Sequence, residues 1–452
     1  MITEDKSRKI IDAAIRYARR KVDAIEVTLT GSNIATSRFA NNGMTQNQFP
    51  TSESVAVRVL LKGRQARLNG DDLSEKGLRA LVDNAIVAVK LLEKDDELQP
   101  LIKPKGRPDK KKKKSVSRFD RKTAKMSAMD RADEVRKVID VANAKKLIAS
   151  GVYASGEMYT AIGNSAGHFA YHRETSAECS ITMTAPDSSG WVKAQAVKAS
   201  EIDVQELAER AALKATMSAN PQEVDPGKYT VILEPAAALD MIGQLWYAFA
   251  GTSHVDKLSC LLGKLGKKVF GDNVTFWDDV AHKDQSGNPF DGEGLPTQSI
   301  ALVEDGIVKN FVYGRRSAAA LKAVCTGHGL AEPSAMGDYP GSMVMKGGDS
   351  SIEEMVKSTD RGILVTRVWY VREVDPTTML ITGLTQDGTF LIENGVIKCG
   401  IKNMRFNVSV IEMLGSILAM SPEARTAGEE APTAVMPALK VTGFNFTERT
   451  LY

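Results

Sequence analysis

Cysteine is scarce in this chain. Its 452 residues include four, Cys179, Cys260, Cys325 and Cys399, and no two of them form a CxxC. That scatter excludes a disulfide framework and a cysteine-built zinc site, and it fits a reducing compartment, so a cytoplasmic location is expected. Long apolar runs are missing too: none approaches the ~20 residues of a membrane-spanning helix, and no membrane partner is expected. The opening MITEDKSRKIIDAAIRYARR reads as a charged amphipathic helix, without the unbroken apolar segment of a signal peptide. What is present is ordinary: 43% apolar and 25% charged residues, in a length with room for two or three domains and a large core.

The net charge of +3 hides a division. Residues 103–125 hold twelve Lys/Arg and two Asp, which leaves 47 Lys/Arg against 54 Asp/Glu elsewhere. The expected body is mildly acidic and carries one basic segment. Residues 95–122 read as a linker, with Pro100, Pro104 and Pro108 followed by Lys110–Lys114. Like charges this dense repel and stay solvated. A basic run attracts phosphate, yet Phe119 stands alone with no further aromatics to stack on bases. A solvated loop that folding does not need is therefore expected, and nucleic acid is not an expected partner.

Periodicity organises the rest. Helices are expected over 4–21, 74–93, 130–146 and 203–218, where apolar residues recur at spacings of three and four. Strands are expected at Ala24–Thr30, Ile34–Ala40 and around Val55–Leu61, with tight turns at Asn42-Gly43 and Lys62-Gly63. Residues 147–197 read as an antiparallel meander. Within it His168 and His172 form HxxxH, but on a strand their Cα atoms would lie ~13 Å apart, too far for one ion. The composite is α+β: an N-terminal α/β sheet domain (1–94), the linker (95–122), a middle β-meander with helices (123–220) and a larger β-rich C-terminal domain (226–452).

One stretch stands at the centre, Lys228–Gly251, KYTVILEPAAALDMIGQLWYAFAG. Alternating β-branched residues open it as a strand, and Pro235 stops the strand and suits the first turn of a helix. Leu239, Ile242, Trp246 and Phe249 then give an apolar helical face, with Asp240, Gly243, Gln244 and Tyr247 on the other stripe. Further on, Leu258–Lys267 reads as a short helix and VSVIEMLGSILAM as a longer one. GLTQDGTFLIENG reads as a hairpin with turn residues at Asp387-Gly388 and Asn394-Gly395.

Several of these segments together resemble the TldD/PmbA family of metallopeptidases. They are SRFANNGMTQNQ near the N-terminus, GNSAG in the meander, the central strand and helix, FDGEGLPTQ, the segment ending in CTGHG, and KNMRFN. The resemblance covers nearly the whole chain apart from the Lys-rich linker. In the catalytic members the central helix carries an HExxxH motif, whose two His hold zinc and whose Glu acts as base. Aligning VILEP on the strand that precedes that helix puts Gly243, Gln244 and Ala248 at the three motif positions. No His lies between Arg173 and Thr252 to restore the motif in another register. The C-terminal loop where those members place a Cys ligand corresponds to SPEARTAGEEAPTAVMPALKV, which holds neither Cys nor His. The chain is thus similar to the PmbA (TldE-type) subunits, which lack the motif.

What the resemblance implies is a non-catalytic subunit without zinc of its own, paired with an HExxxH-bearing paralogue that holds the metal. The pair would process unfolded or modified peptides in the cytoplasm; a homodimer of the isolated chain stays open. Arg38, Asn41, Asn42 and Gln46 would line part of the peptide chamber, or else satisfy backbone groups at a hairpin. Gln244 would at best orient a water or a peptide group. Asp291 and Glu293 make a tight acidic loop, able to act as acid and base or to cap backbone N–H groups. A Cys325–His328 pair could be nucleophilic, though no third group that would orient it is visible in the sequence. The alternative is a standalone peptide-binding scaffold, or a hydrolase with a different, non-zinc site.

Overall fold

The computed structural model describes residues 1–104 and 117–450. The run Lys110–Lys114 and most of the basic segment lie outside the described residues. The fold is α+β, as expected. Strands β1 (Ala24–Ser32), β2 (Ala35–Ala40), β3 (Gly43–Gln48), β4 (Ser52–Leu61) and β5 (Arg64–Gly70) come from the N-terminal part, and β6 (Ile148–Asn164), β7 (Phe169–Ala185) and β8 (Ser188–Ala196) from the meander. All eight share one sheet: one edge of β6 pairs with β2 through residues 151–155 and with β1 through 158–164, while its other edge pairs with β7, which β8 extends. The meander therefore adds directly to the N-terminal strands through backbone hydrogen bonds.

That insertion has a local requirement. β6 passes so close to the turn between β1 and β2 that a Cβ on Gly156 would lie 2.8 Å from Ile34 Cα, and only glycine fits. Helices Glu4–Ala18 and Glu75–Leu91 pack on β1 and β4 through Ile11, Ala14, Val82 and Val89. Helices Ala128–Ala144 and Val204–Met217 pack on the meander through Val135, Val138, Ala208 and Ala211. Each of these four starts with a side-chain cap, from Thr3, Ser74, Ser127 and Asp203 respectively. Between β2 and β3 the residues with positive φ are Asn41 (50°) and Asn42 (56°). The tight turn is thus Asn41-Asn42 rather than Asn42-Gly43, because asparagine tolerates the left-handed region.

The C-terminal part holds a nine-stranded and a six-stranded sheet. At the heart of the larger one, β9 (Gly227–Leu233) pairs parallel with Arg361–Val365 and antiparallel with Leu439–Arg449. The central helix, Pro235–Ile242, follows directly, and all of Ala237–Ile242 is buried. Apart from Asp240 this helix is apolar all round and must be enclosed, and it lies within the largest core cluster.

Four expectations change here. The single helix expected up to Gly251 is instead an α-helix that tightens to 3₁₀ over Gly243–Phe249, followed by a short helix at Gly251–Val255. Glycine and a run of bulky aromatics weaken the α-form there. Leu258–Lys267 is a chain of turns, broken by Gly263 and Gly266 at φ of 68° and 73°. The VSVIEMLGSILAM helix ends at Gly415, and Ile417–Met420 becomes a strand on Leu439–Arg449. Asp387-Gly388 is no hairpin turn either: Leu380–Thr385 pairs with Met404–Ser409, and Thr389–Glu393 pairs with Arg361–Val365. Asn394-Gly395 does close a hairpin, between Thr389–Glu393 and Val396–Gly400.

Candidate functional site

The central helix and the loop after Thr426 form one unit. Asp240, 1% exposed, accepts three backbone hydrogen bonds: from Glu429 (2.9 Å), Glu430 (3.0 Å) and Ala431 (2.8 Å). Burial raises its pKa, and the three N–H donors counter part of that rise. The clamp lays the loop over the next turn of the helix. There a Cβ on Gly243 would stand 2.8 Å from Ala431 Cβ. Gln244 is partly exposed, whereas Ala248 is buried. The Ala248 carbonyl accepts from Ser259 Oγ at 2.7 Å and lies 3.0 Å from His254 Nε2.

A catalytic zinc needs three His, Cys or carboxylate ligands and an open position. The residues present do not fit one. Gly243 and Ala248 carry no donor, the space beside Gly243 is filled by Ala431, and Asp240 is spent on the loop. Among the described residues no three His, Cys, Asp or Glu side chains are grouped as a metal site requires.

The N-terminal hairpin divides the residues expected to act together. Asn42 is structural: its Nδ2 donates to Asn143 Oδ1 and to the Leu147 carbonyl, each at 2.9 Å, and its Oδ1 accepts from Ala149 N at 2.6 Å. Arg38 and Gln46 are exposed and face each other across β2 and β3, and Asn41 is exposed at the turn. They are free for a partner or a peptide.

The acidic loop is also occupied. Asp291 Oδ1 accepts from the N–H groups of Glu293 and Leu295, and its Oδ2 from Gly329. Burial still pushes its pKa up to about 6. Glu293, 3% exposed, pairs with Arg315 at 2.8 Å and lies 3.8 Å from Arg58. Through Arg58 this loop joins a buried charged cluster that the sequence reading missed. Glu26 and Arg58 are direct cross-strand neighbours on β1 and β4, 3.8 Å apart and each 1% exposed. Arg67 stands 3.8 Å from the same carboxylate. Arg58 Nε donates to Gln65, Gln65 to Asp95, and Asp95 pairs with Arg316 at 2.5 Å. The cluster joins the N-terminal sheet to the C-terminal part, with desolvation raising Glu26 to about 7. A signal existed: Glu26 and Arg58 fall on the polar phase of their strands' alternation, which reads as solvent-facing until a second layer covers it.

His328 does have an orienting group. Its Nε2 lies 3.1 Å from Asp278 Oδ1, and its Nδ1 2.8 Å from Thr326 Oγ1. The set is buried, and Cys325 Sγ bonds instead to the Tyr313 carbonyl at 3.5 Å. His168 Nε2 lies 2.9 Å from the Gly294 carbonyl, and His172 lies 3.6 Å from Glu174. No described helix is long and apolar enough to cross a membrane.

A family model described as the PmbA/TldA metallopeptidase C-terminal domain matches residues 226–448, and one for the central domain of the same family matches residues 117–219. The metalloprotease PmbA of Escherichia coli O157:H7 is 27% identical over 229 residues, 50% of this chain and 48% of that protein, so the matched region spans about half of this relative. A metalloprotease PmbA homologue from Haemophilus influenzae is 22% identical over 97% of both chains. In fold, TldE from Thermococcus kodakarensis superposes with a TM-score of 0.85 at 20% identity, covering 97% of this chain and all of the other.

Proposed function

The chain belongs to the PmbA/TldD metallopeptidase family, and from that membership we propose that it is a non-catalytic subunit. It pairs with an HExxxH-bearing paralogue, and together they process flexible, unfolded or modified peptides. The observation that carries this reading is the contact between Gly243 and Ala431. At the position aligned with a zinc ligand of the catalytic members, the Ala431 methyl takes the space a side chain would need. Hydrolysis by the family's route uses a metal to polarise the carbonyl and activate water, and among the described residues no three His, Cys, Asp or Glu side chains are grouped to supply its ligands. Zinc belongs to the partner, and this chain contributes a wall of a shared chamber. The exposed Arg38 on β2, Gln46 on the edge strand β3, and Asn41 at the turn between them are the groups through which that wall would meet a peptide. Four free cysteines agree with a cytoplasmic setting.

The test is purification of the tagged chain from its native host, followed by identification of co-purifying proteins and elemental analysis of the separated chain. A stoichiometric HExxxH paralogue and no stoichiometric zinc in this chain are expected. One tightly held zinc per separated chain contradicts the reading.

A further inference from the structure

A second feature lies at the other end of the central helix. Between the meander and the C-terminal sheet is a pocket of about 180 Å³, whose wall includes Lys193, Arg210, Lys214, Arg425, Glu234 and Ala236. Four of these carry positive charge and one negative. Glu234 is shared, 2.8 Å from Lys214 and 3.8 Å from Arg210. Among the described residues Lys193 ion-pairs with Glu178, at 3.7 Å, and donates to the Gly428 carbonyl at 3.2 Å. Arg425 is largely buried, and its hydrogen bonds go to neutral oxygens: the Gln195 and Asp284 carbonyls, Gln195 Oε1 and Ser286 Oγ. Two carboxylates, Glu178 and Glu234, ion-pair with these cations, while Asp387 acts on Lys214 and Glu174, Asp284 and Glu201 act on Arg425 from longer range. Among the described carboxylates Glu234 alone lines the half-enclosed space, where uncompensated charge is unfavourable. The helix beginning at Pro235 has no side-chain cap, so its dipole adds to the same positive field.

We propose that this pocket binds a compact oxyanion, a carboxylate or a phosphate group, held by Lys193, Arg210, Lys214 and Arg425. The volume suits such a group and little more, since drug-sized ligands take about 300 Å³ or more. Arginine and lysine together supply the forked and point donors that oxyanions accept. The site is separate from the closed position at Gly243 and does not rest on the peptidase-subunit reading.

The test is calorimetric titration of the full chain in a buffer free of other oxyanions. The probes are inorganic phosphate, a short peptide with a free α-carboxylate, and the same peptide amidated. One saturable site is expected for phosphate, for the free-acid peptide or for both, and none for the amide. Phosphate alone would identify a free anion as the ligand; the free-acid peptide alone would identify a chain terminus; each supports the site. The double variant Lys193→Gln/Arg210→Gln, checked for native circular dichroism, weakens binding by about tenfold or more. Ala236→Asp places a carboxylate in the pocket itself; it abolishes binding and raises Tm, and it decides the matter if the double variant fails to fold. Absence of saturable binding for both oxyanions, or binding undiminished in Ala236→Asp, overturns the proposal.

Discussion

Gly243 and Ala431 meet so closely that a β-carbon on the glycine would stand 2.8 Å from the alanine methyl. Gly243 is partly exposed, yet the Ala431 methyl occupies the space a side chain there would take. Gly243→Ala should destabilise the protein by about 1–3 kcal/mol in urea unfolding, as overpacking does. Adding Ala431→Gly should recover much of that loss, giving clear coupling in a double-mutant cycle. Writing His, Glu and His at 243, 244 and 248 should create no peptidase activity, because the remaining ligand and its supporting shell are absent. Wild-type stability in Gly243→Ala would show that the contact is not tight.

Asp240 holds the covering loop by three backbone N–H groups. Asp240→Ala should cost about 2–4 kcal/mol, because it strands those donors. It should also expose the Gly428–Thr433 segment to limited proteolysis at protein concentrations and temperatures where the wild type resists. Unchanged protease resistance would mean that other contacts suffice to hold the loop.

Glu26 gives a pH signature. Desolvation raises its folded pKa from 4.5 to about 7. The native state then binds more protons than the unfolded state between those values, so stability falls as pH rises. The contribution is full below about pH 4.5 and lost by about pH 7, and it amounts to at most about 3 kcal/mol. Glu26→Gln mimics the protonated form. Relative to that variant, the wild type should lose stability between pH 5 and 7.5 in chemical denaturation. Parallel profiles for the two would place the Glu26 pKa near its ordinary value.

The two sides of the hairpin should respond differently. Asn42→Ala removes three hydrogen bonds and a residue suited to positive φ, and should lower stability by about 1–3 kcal/mol. Arg38→Ala and Gln46→Ala should stay within about 0.5 kcal/mol of wild type, yet reduce peptide turnover by the assembled complex. Normal turnover in both would remove the β2–β3 hairpin from the chamber wall.

Much of the architecture was legible in the sequence because periodicity and capping agree there. The helices at Glu4–Ala18, Glu75–Leu91, Ala128–Ala144 and Val204–Met217 all combine an apolar stripe with a capping residue. What failed to show was set by distant contacts. The union of meander and N-terminal strands depends on β6 pairing with both β1 and β2, far apart in the chain. The closed position at Gly243 depends on a loop nearly two hundred residues later, and the burial of Glu26 on a covering layer. The basic segment also has a constraint that composition conceals. Pro104 lies 3.9 Å from where a Gly167 Cβ would be, whereas the Arg118 carbonyl accepts from Thr175 N. The strand from Phe169 to Thr175 separates them by ~20 Å. At ~3.5 Å per residue, at least about six residues must bridge that gap. Excising all of 105–116 would therefore strain the fold whatever its charge, so the charge is better tested by replacing Lys110–Lys114 with serine at constant length.

The central claim is a chain that cannot cleave but is needed for cleavage, and one reconstitution tests it. The HExxxH-bearing paralogue, this chain, and both together are each given an unfolded peptide, with zinc present throughout. The account predicts negligible turnover by this chain alone, weak or no turnover by the paralogue alone, and strong turnover by the mixture. Equal cleavage by the paralogue with and without this chain would contradict it.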